Sequence, residues 1–149
     1  MRALAAAALI GLACGAEDGA GDQPAAQAEG ATATVTVHVV RMVETDDGRY
    51  VYDPVELTIR QGDQVRWINV SGGPHNVEFY QDRIPAGAKD ALNAAMPERM
   101  GGADLVGKLL FDPDERYEVS FAGVPPGTYE YVCTPHAMVG MTATIIVTR

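Results

Sequence analysis

The feature that most constrains this chain is its punctuation. From Thr32 to the end, short runs of alternating apolar and polar residues are separated by clusters of Gly, Pro, Asp and Asn. A period of two places alternate side chains on opposite faces of a strand, and turn chemistry at this spacing leaves little room for long helices. Across residues 32–43, Val35, Val37 and Val39 alternate with Thr34, Thr36 and His38, which predicts a half-buried first strand with His38 on its polar face. Asp46-Asp47-Gly48 is a turn signal, after which residues 49–52 return as a short hairpin arm. Residues 55–59 and 64–70, joined by Gln61-Gly62-Asp63, read as two antiparallel strands. Ser71-Gly72-Gly73-Pro74 then breaks the chain, and His75 opens a further strand through Val77 and Phe79.

Alternation stops only between Ile84 and Pro113, where Ala88, Ala91, Leu92, Ala95 and Met96 fall at helical spacing and predict one short helix over a sheet edge. Residues 117–121, a Pro125-Pro126-Gly127 turn, residues 128–133 and residues 141–147 complete the pattern. Seven or eight short strands with turns between them imply an all-β fold, a Greek-key β-sandwich carrying that single helix.

A chain of 149 residues that is 47% hydrophobic suits one domain with a real core. Its 11 Lys and Arg against 20 Asp and Glu leave a net charge of -9, which argues against nucleic acid and for basic partner surfaces. Residues 1–14 have export-signal chemistry: Arg2, an apolar run from Ala3 to Ala13, then Cys14, too short for a permanent membrane span. Gly11-Leu12-Ala13-Cys14 resembles a bacterial lipoprotein signal, with Gly11 where leucine is usual; it implies cleavage before Cys14 and a lipid anchor on its sulfur. A plain secretory signal is the alternative. Residues 15–31, acidic and rich in Gly and Ala, read as a flexible tether, so that residues 32–149 form the folded domain. The mature domain then holds one cysteine, Cys133. A lone thiol in an oxidising compartment is either buried as a small hydrophobe or committed to a metal.

The segment from Tyr129 to Met141 separates these. It reads Tyr-Glu-Tyr-Val-Cys-Thr-Pro-His-Ala-Met-Val-Gly-Met, with two residues between Cys133 and His136 and four between His136 and Met141. This resembles the metal loop of the cupredoxins, in the plastocyanin and pseudoazurin branch. The amicyanin spacing would place Val139 where methionine is needed. The upstream segment Gly73-Pro74-His75-Asn76-Val77 resembles the segment that supplies the second histidine of that family, and the likeness runs from about Tyr50 to the end.

The resemblance implies one copper ion, cycling between Cu(I) and Cu(II), held by His75, Cys133, His136 and Met141. Two imidazoles and a thiolate in a trigonal set, with a weak thioether, suit both oxidation states. Pro74 and Pro135 stiffen the approaches, and Asn76 is placed to hydrogen-bond between the loops. His38 and Met138 fit no ligand spacing and are assigned to the surface.

Three histidines, two of them used here, leave only His38, too few for the second copper centre of multicopper oxidases and nitrite reductases, which takes several, so the expected role is one-electron transfer and not enzymatic catalysis. A copper carrier or storage protein is the alternative, although the Met or His clusters such proteins use are not visible. Where plants and algae have a tyrosine next to the cysteine, this chain has Val132, while Tyr131 should point inward. A photosynthetic role is therefore not carried over. The expected partner is a c-type cytochrome or a terminal oxidase outside a bacterial cell membrane, met by a monomer.

Overall fold

The computed structural model describes residues 34–149; the expected signal at 1–14, the tether at 15–31 and the first residues of the first strand lie outside the described residues. Eight strands follow in order: β1 (Val37–Glu44), β2 (Tyr50–Asp53), β3 (Glu56–Arg60), β4 (Gln64–Asn69), β5 (Glu78–Phe79), β6 (Arg116–Ser120), β7 (Gly127–Val132) and β8 (Thr142–Thr148). One sheet has the order β2-β1-β4-β6 and the other β3-β8-β7-β5. Within the first, β1 runs parallel to β4 and antiparallel to β2; within the second, β8 runs parallel to β3 and antiparallel to β7. The expected sandwich with one short helix is the observed fold.

The predicted β3–β4 pair does not form. The turn at Gln61-Gly62-Asp63 carries the chain from one sheet to the other, so β3 pairs with β8 and β4 with β1 and β6. Gly62 has φ +101, a left-handed conformation that a side chain would strain. Asp63 secures the crossing: its carboxylate accepts the backbone N–H of Thr36 at 3.1 Å and of Arg60 at 3.0 Å, and meets His38 Nε2 at 2.8 Å.

His38 corrects a second expectation. The valines counted as one face of this strand point to solvent, Val37 being 40% and Val39 43% exposed, whereas Val40 and Met42 are buried. His38 shares their parity and so turns inward, half-buried against Asp63. Alternation identified the strand, but Val40 and Met42, outside the counted triplet, decide which face the core takes.

The core is centred on Trp67, which meets Tyr131 edge-on at 5.7 Å, Phe79 at 6.3 Å and Tyr117 at 6.3 Å between ring centroids. Trp67, Tyr131 and Val65 are completely buried, and truncating a side chain as large as Trp67 costs about 3 to 5 kcal/mol. The short helix α1 (Lys89–Ala95) falls where expected, with Ala88, Leu92 and Met96 buried. Seven residues cannot hold a helix by propensity, so this burial does. Asn93 pins it to the following loop, accepting Leu105 N–H at 2.9 Å and Arg99 Nη1 at 3.0 Å. The loop then returns along the β5 side, where Val106 bridges Glu78 and Leu110 bridges His75. Among the described residues no helix is long and apolar enough to cross a membrane.

Candidate metal centre

Cys133, His136 and Met141 come from the connection between β7 and β8. Cys133 continues β7 beyond Tyr131, buried like it. Pro135, with φ already suited to helical geometry, opens a 3₁₀ turn at Thr134–Val139, which Gly140 ends at φ +84. Successive main-chain bonds tighten the loop: His136 N–H to Cys133 O at 3.0 Å, Met141 N–H to His136 O at 3.2 Å, and Cys133 N–H to Met141 O at 3.0 Å. Cys133 and Met141 therefore lie opposite one another where the strands resume pairing, and both are buried.

His75 arrives from the other side of the cleft. Its backbone exchanges two bonds with Leu110, at 2.9 and 2.7 Å, and its ring is buried. Nε2 lies 2.8 Å from the Ser71 carbonyl, which can only accept, so Nε2 carries the proton and Nδ1 presents a lone pair. That Nδ1 lies 3.6 Å from Cys133 Sγ, and His136 Nδ1 lies 3.4 Å from the same sulfur. One donor atom from each of the three residues falls within 4.8 Å of the others. Two donors bound to one first-row metal at about 2.0 to 2.3 Å would stand about 3.7 Å apart, so the 3.6 and 3.4 Å separations from Cys133 Sγ suit a shared ion.

The loops are tied together as Asn76 was expected to tie them. Thr134 N–H donates to Asn76 Oδ1 at 2.8 Å, and Asn76 Nδ2 donates to Thr134 Oγ1 at 2.9 Å. Thr134 Oγ1 in turn donates to Glu78 Oε2 at 2.7 Å, and Tyr52 OH donates to the Asn76 carbonyl at 2.6 Å. Burial pushes the Cys133 thiol up, with the amide N–H groups of Asn76 and His136 pulling the other way. Burial pushes the His75 imidazole down against the Ser71 carbonyl. It also lowers His136, with help from the neighbouring His75 charge. Near neutrality, without metal, these shifts favour neutral imidazoles with free lone pairs and a protonated thiol, which must lose its proton to ligate.

His136 is half-buried, and the residues after it are exposed and apolar: Met138 is 98% and Val139 66% exposed, in keeping with a surface role for Met138. Two neighbours were not legible in the sequence. Tyr50 stacks on His136 with centroids 3.8 Å apart and planes 9° from parallel. Phe111, 63% exposed, follows the Leu110 that holds His75. Tyr50 belongs to a hairpin arm whose register alone brings it here, opposite Glu44. Phe111 lies in the stretch where alternation stops, so no period indicated its direction.

A family model described as copper binding proteins of the plastocyanin/azurin family matches residues 37–148. Plastocyanin of Synechococcus sp. (strain JA-2-3B'a(2-13)) is 43% identical over 115 residues, covering 77% of this chain and 76% of that one. Plastocyanin of Solanum crispum is 36% identical over 106 residues, covering 71% and 96%. Among solved structures, oxidised plastocyanin from Dryopteris crassirhizoma matches with a TM-score of 0.55 at 26% identity, covering 74% of this chain and all of that one. The chain belongs to the plastocyanin/azurin family of copper binding proteins.

Proposed function

We propose that this protein is a type 1 copper electron carrier of the cell envelope, in which His75, Cys133, His136 and Met141 hold one copper ion. The observation that carries the reading is the convergence of His75 Nδ1 and His136 Nδ1 on Cys133 Sγ, at 3.6 and 3.4 Å. Bound copper supplies a Cu(I)/Cu(II) couple, and this donor set is acceptable to both states. The chain's part is to keep the donors still. Leu110 and Ser71 hold His75, and the Asn76–Thr134 pair holds the Cys133 loop, so neither need move when the charge changes. Burial of His75 and Cys133 keeps water from their donor atoms. Four protein ligands leave no position for a substrate, which favours a carrier over an enzyme.

The half-buried ring of His136 is the natural electron exit, and Ala137, Met138 and Val139 beside it form a surface free of charge on which a partner could approach closely. Phe111 adds an aromatic side chain, followed by Asp112, Asp114 and Glu115. Apolar contact with acidic steering favours a basic redox partner, such as a c-type cytochrome or a terminal oxidase. Export by residues 1–14, lipidation at Cys14, a tether at 15–31 and a monomeric domain at 32–149 complete the proposal. The Cys14→Ser variant behind a cleavable signal should leave the membrane fraction, and a wild-type protein found wholly soluble removes the anchor.

The deciding test is addition of Cu(II) to the purified domain. An electron carrier turns intensely blue by thiolate-to-copper charge transfer and cycles reversibly at an electrode. A copper transporter or store loses its metal readily to a chelator. Failure to develop the blue band would sink the reading.

A further inference from the structure

We propose that Tyr50 is a positioning residue for the metal centre, a clamp from β2 that holds the His136 ring flat and fastens both ligand-bearing loops. This rests on the reading that His136 is a copper ligand. The Tyr50 ring lies face to face with His136 at 3.8 Å and 9°, and edge-on to His75 at 6.2 Å and 64°. Of the two rings it touches, His136 needs the support more. His75 is buried and its Nε2 is committed to the Ser71 carbonyl, whereas His136 is half-exposed on a short 3₁₀ turn. A stacked ring stops the imidazole from swinging about its Cβ–Cγ bond, and so keeps Nδ1 aimed at the Cys133 sulfur.

The same ring presses on the loop that precedes His75. A Cβ built on Gly72 would lie 2.9 Å from Tyr50 Cε1 and would overlap Glu44 Cβ, and Gly72 has φ +73. Glycine at this position is therefore what lets Tyr50 reach across the cleft. Glu44 and Tyr50 are register partners in the β1–β2 pair, so the clamp is carried by sheet geometry and not by a loose loop. Tyr50 thus bridges the β1–β2 arm, the loop before His75 and the loop after Cys133. The stack engages the ring and not the hydroxyl, so phenylalanine should serve as well.

The test begins with the metal-free wild-type protein. Its His136 ring protons should resonate upfield of those of His38, because they sit over the face of an aromatic ring. Tyr50→Leu should return them to ordinary positions and release copper to a chelator about tenfold faster, the usual cost of losing a ligand's supporting neighbour. Tyr50→Phe should restore both properties. Gly72→Ala, which displaces the ring without removing it, should reproduce the leucine variant. His136 ring protons that are unshifted in the metal-free wild type overturn the clamp whether or not any variant folds. Copper-loaded Tyr50→Leu with wild-type retention overturns the clamp alone, whereas wild-type protein that takes up no copper overturns the metal reading and the clamp with it.

Discussion

Asn76 and Thr134, 58 positions apart, are joined by two reciprocal hydrogen bonds of 2.8 and 2.9 Å, one to the Thr134 backbone and one to its hydroxyl. Asn76 follows His75, and Thr134 follows Cys133, so this pair sets the distance between the two sides of the metal centre. Asn76→Leu should leave the Thr134 N–H unpaired and cost about 1 to 3 kcal/mol of stability. It should also weaken copper binding by about tenfold or more, because it frees the loop that carries three of the proposed ligands, Cys133, His136 and Met141. Denaturant unfolding of the metal-free protein and competition with a chelator measure the two effects separately. Stability and affinity both at wild-type level would show that the loops are held by other contacts.

Met141 is buried opposite Cys133 and closes the loop through its backbone. Met141→Leu conserves volume, so the stability change should stay below about 1.5 kcal/mol. Removing a weak donor that favours Cu(II) should raise the reduction potential while the blue colour persists. An unchanged potential would exclude Met141 as a ligand. Cys133→Ser should abolish the colour, which depends on the thiolate.

Copper uptake should depend on pH through Cys133. Burial raises the thiol above its ordinary value and lowers both imidazoles, so near neutrality the only proton that must leave is the thiol's. A proton on a ligand competes with metal, so the apparent affinity should rise with pH by about tenfold per unit below the thiol's own titration. One proton should be released for each copper bound. Affinity that does not change between pH 6 and 8 would mean that the sulfur is not a ligand or is already ionised.

Asp63 should govern acid stability without touching the metal. Burial works to raise this carboxyl, but His38 and the N–H groups of Arg60 and Thr36 outweigh it, and the net displacement is downward. Its folded value being below its unfolded one, the stabilisation is present above the unfolded carboxylate range of about 3.9 and is lost as pH falls through the folded value. Asp63→Ala should cost about 2 kcal/mol at neutral pH, and its stability should fall less steeply in acid than the wild type's. Thermal melts from pH 2 to 7 test both. The blue band should not change, because Asp63 opens β4 while Ser71 and His75 follow its far end.

Ala137 lies on the exposed turn next to His136. Ala137→Lys should leave spectrum and potential nearly unchanged and slow electron transfer to the physiological partner, by placing a solvated charge where close contact is needed. Equal rates for wild type and variant over a range of ionic strengths would move the transfer surface elsewhere.

The strands and the metal loop were legible in the sequence because both are local patterns. Alternation marks a strand whatever it pairs with, and the spacing of Cys133, His136 and Met141 within nine residues survives any rearrangement of the rest. Asn76 was legible for the same reason, being adjacent to His75. Sheet membership was not. The Gln61-Gly62-Asp63 turn looks like a hairpin, and only the parallel pairings of β1 with β4 and β3 with β8 show that it crosses between sheets. The inward face of β1 was likewise decided by the core, which takes Val40 and Met42 and carries His38 in with them. Tyr50 on His136 is the clearest case, since 86 positions separate them and nothing in either neighbourhood refers to the other. Ligand spacing is written along the chain, whereas the contacts that hold the ligands still arise between strands from distant segments, whose register is set by the whole sandwich.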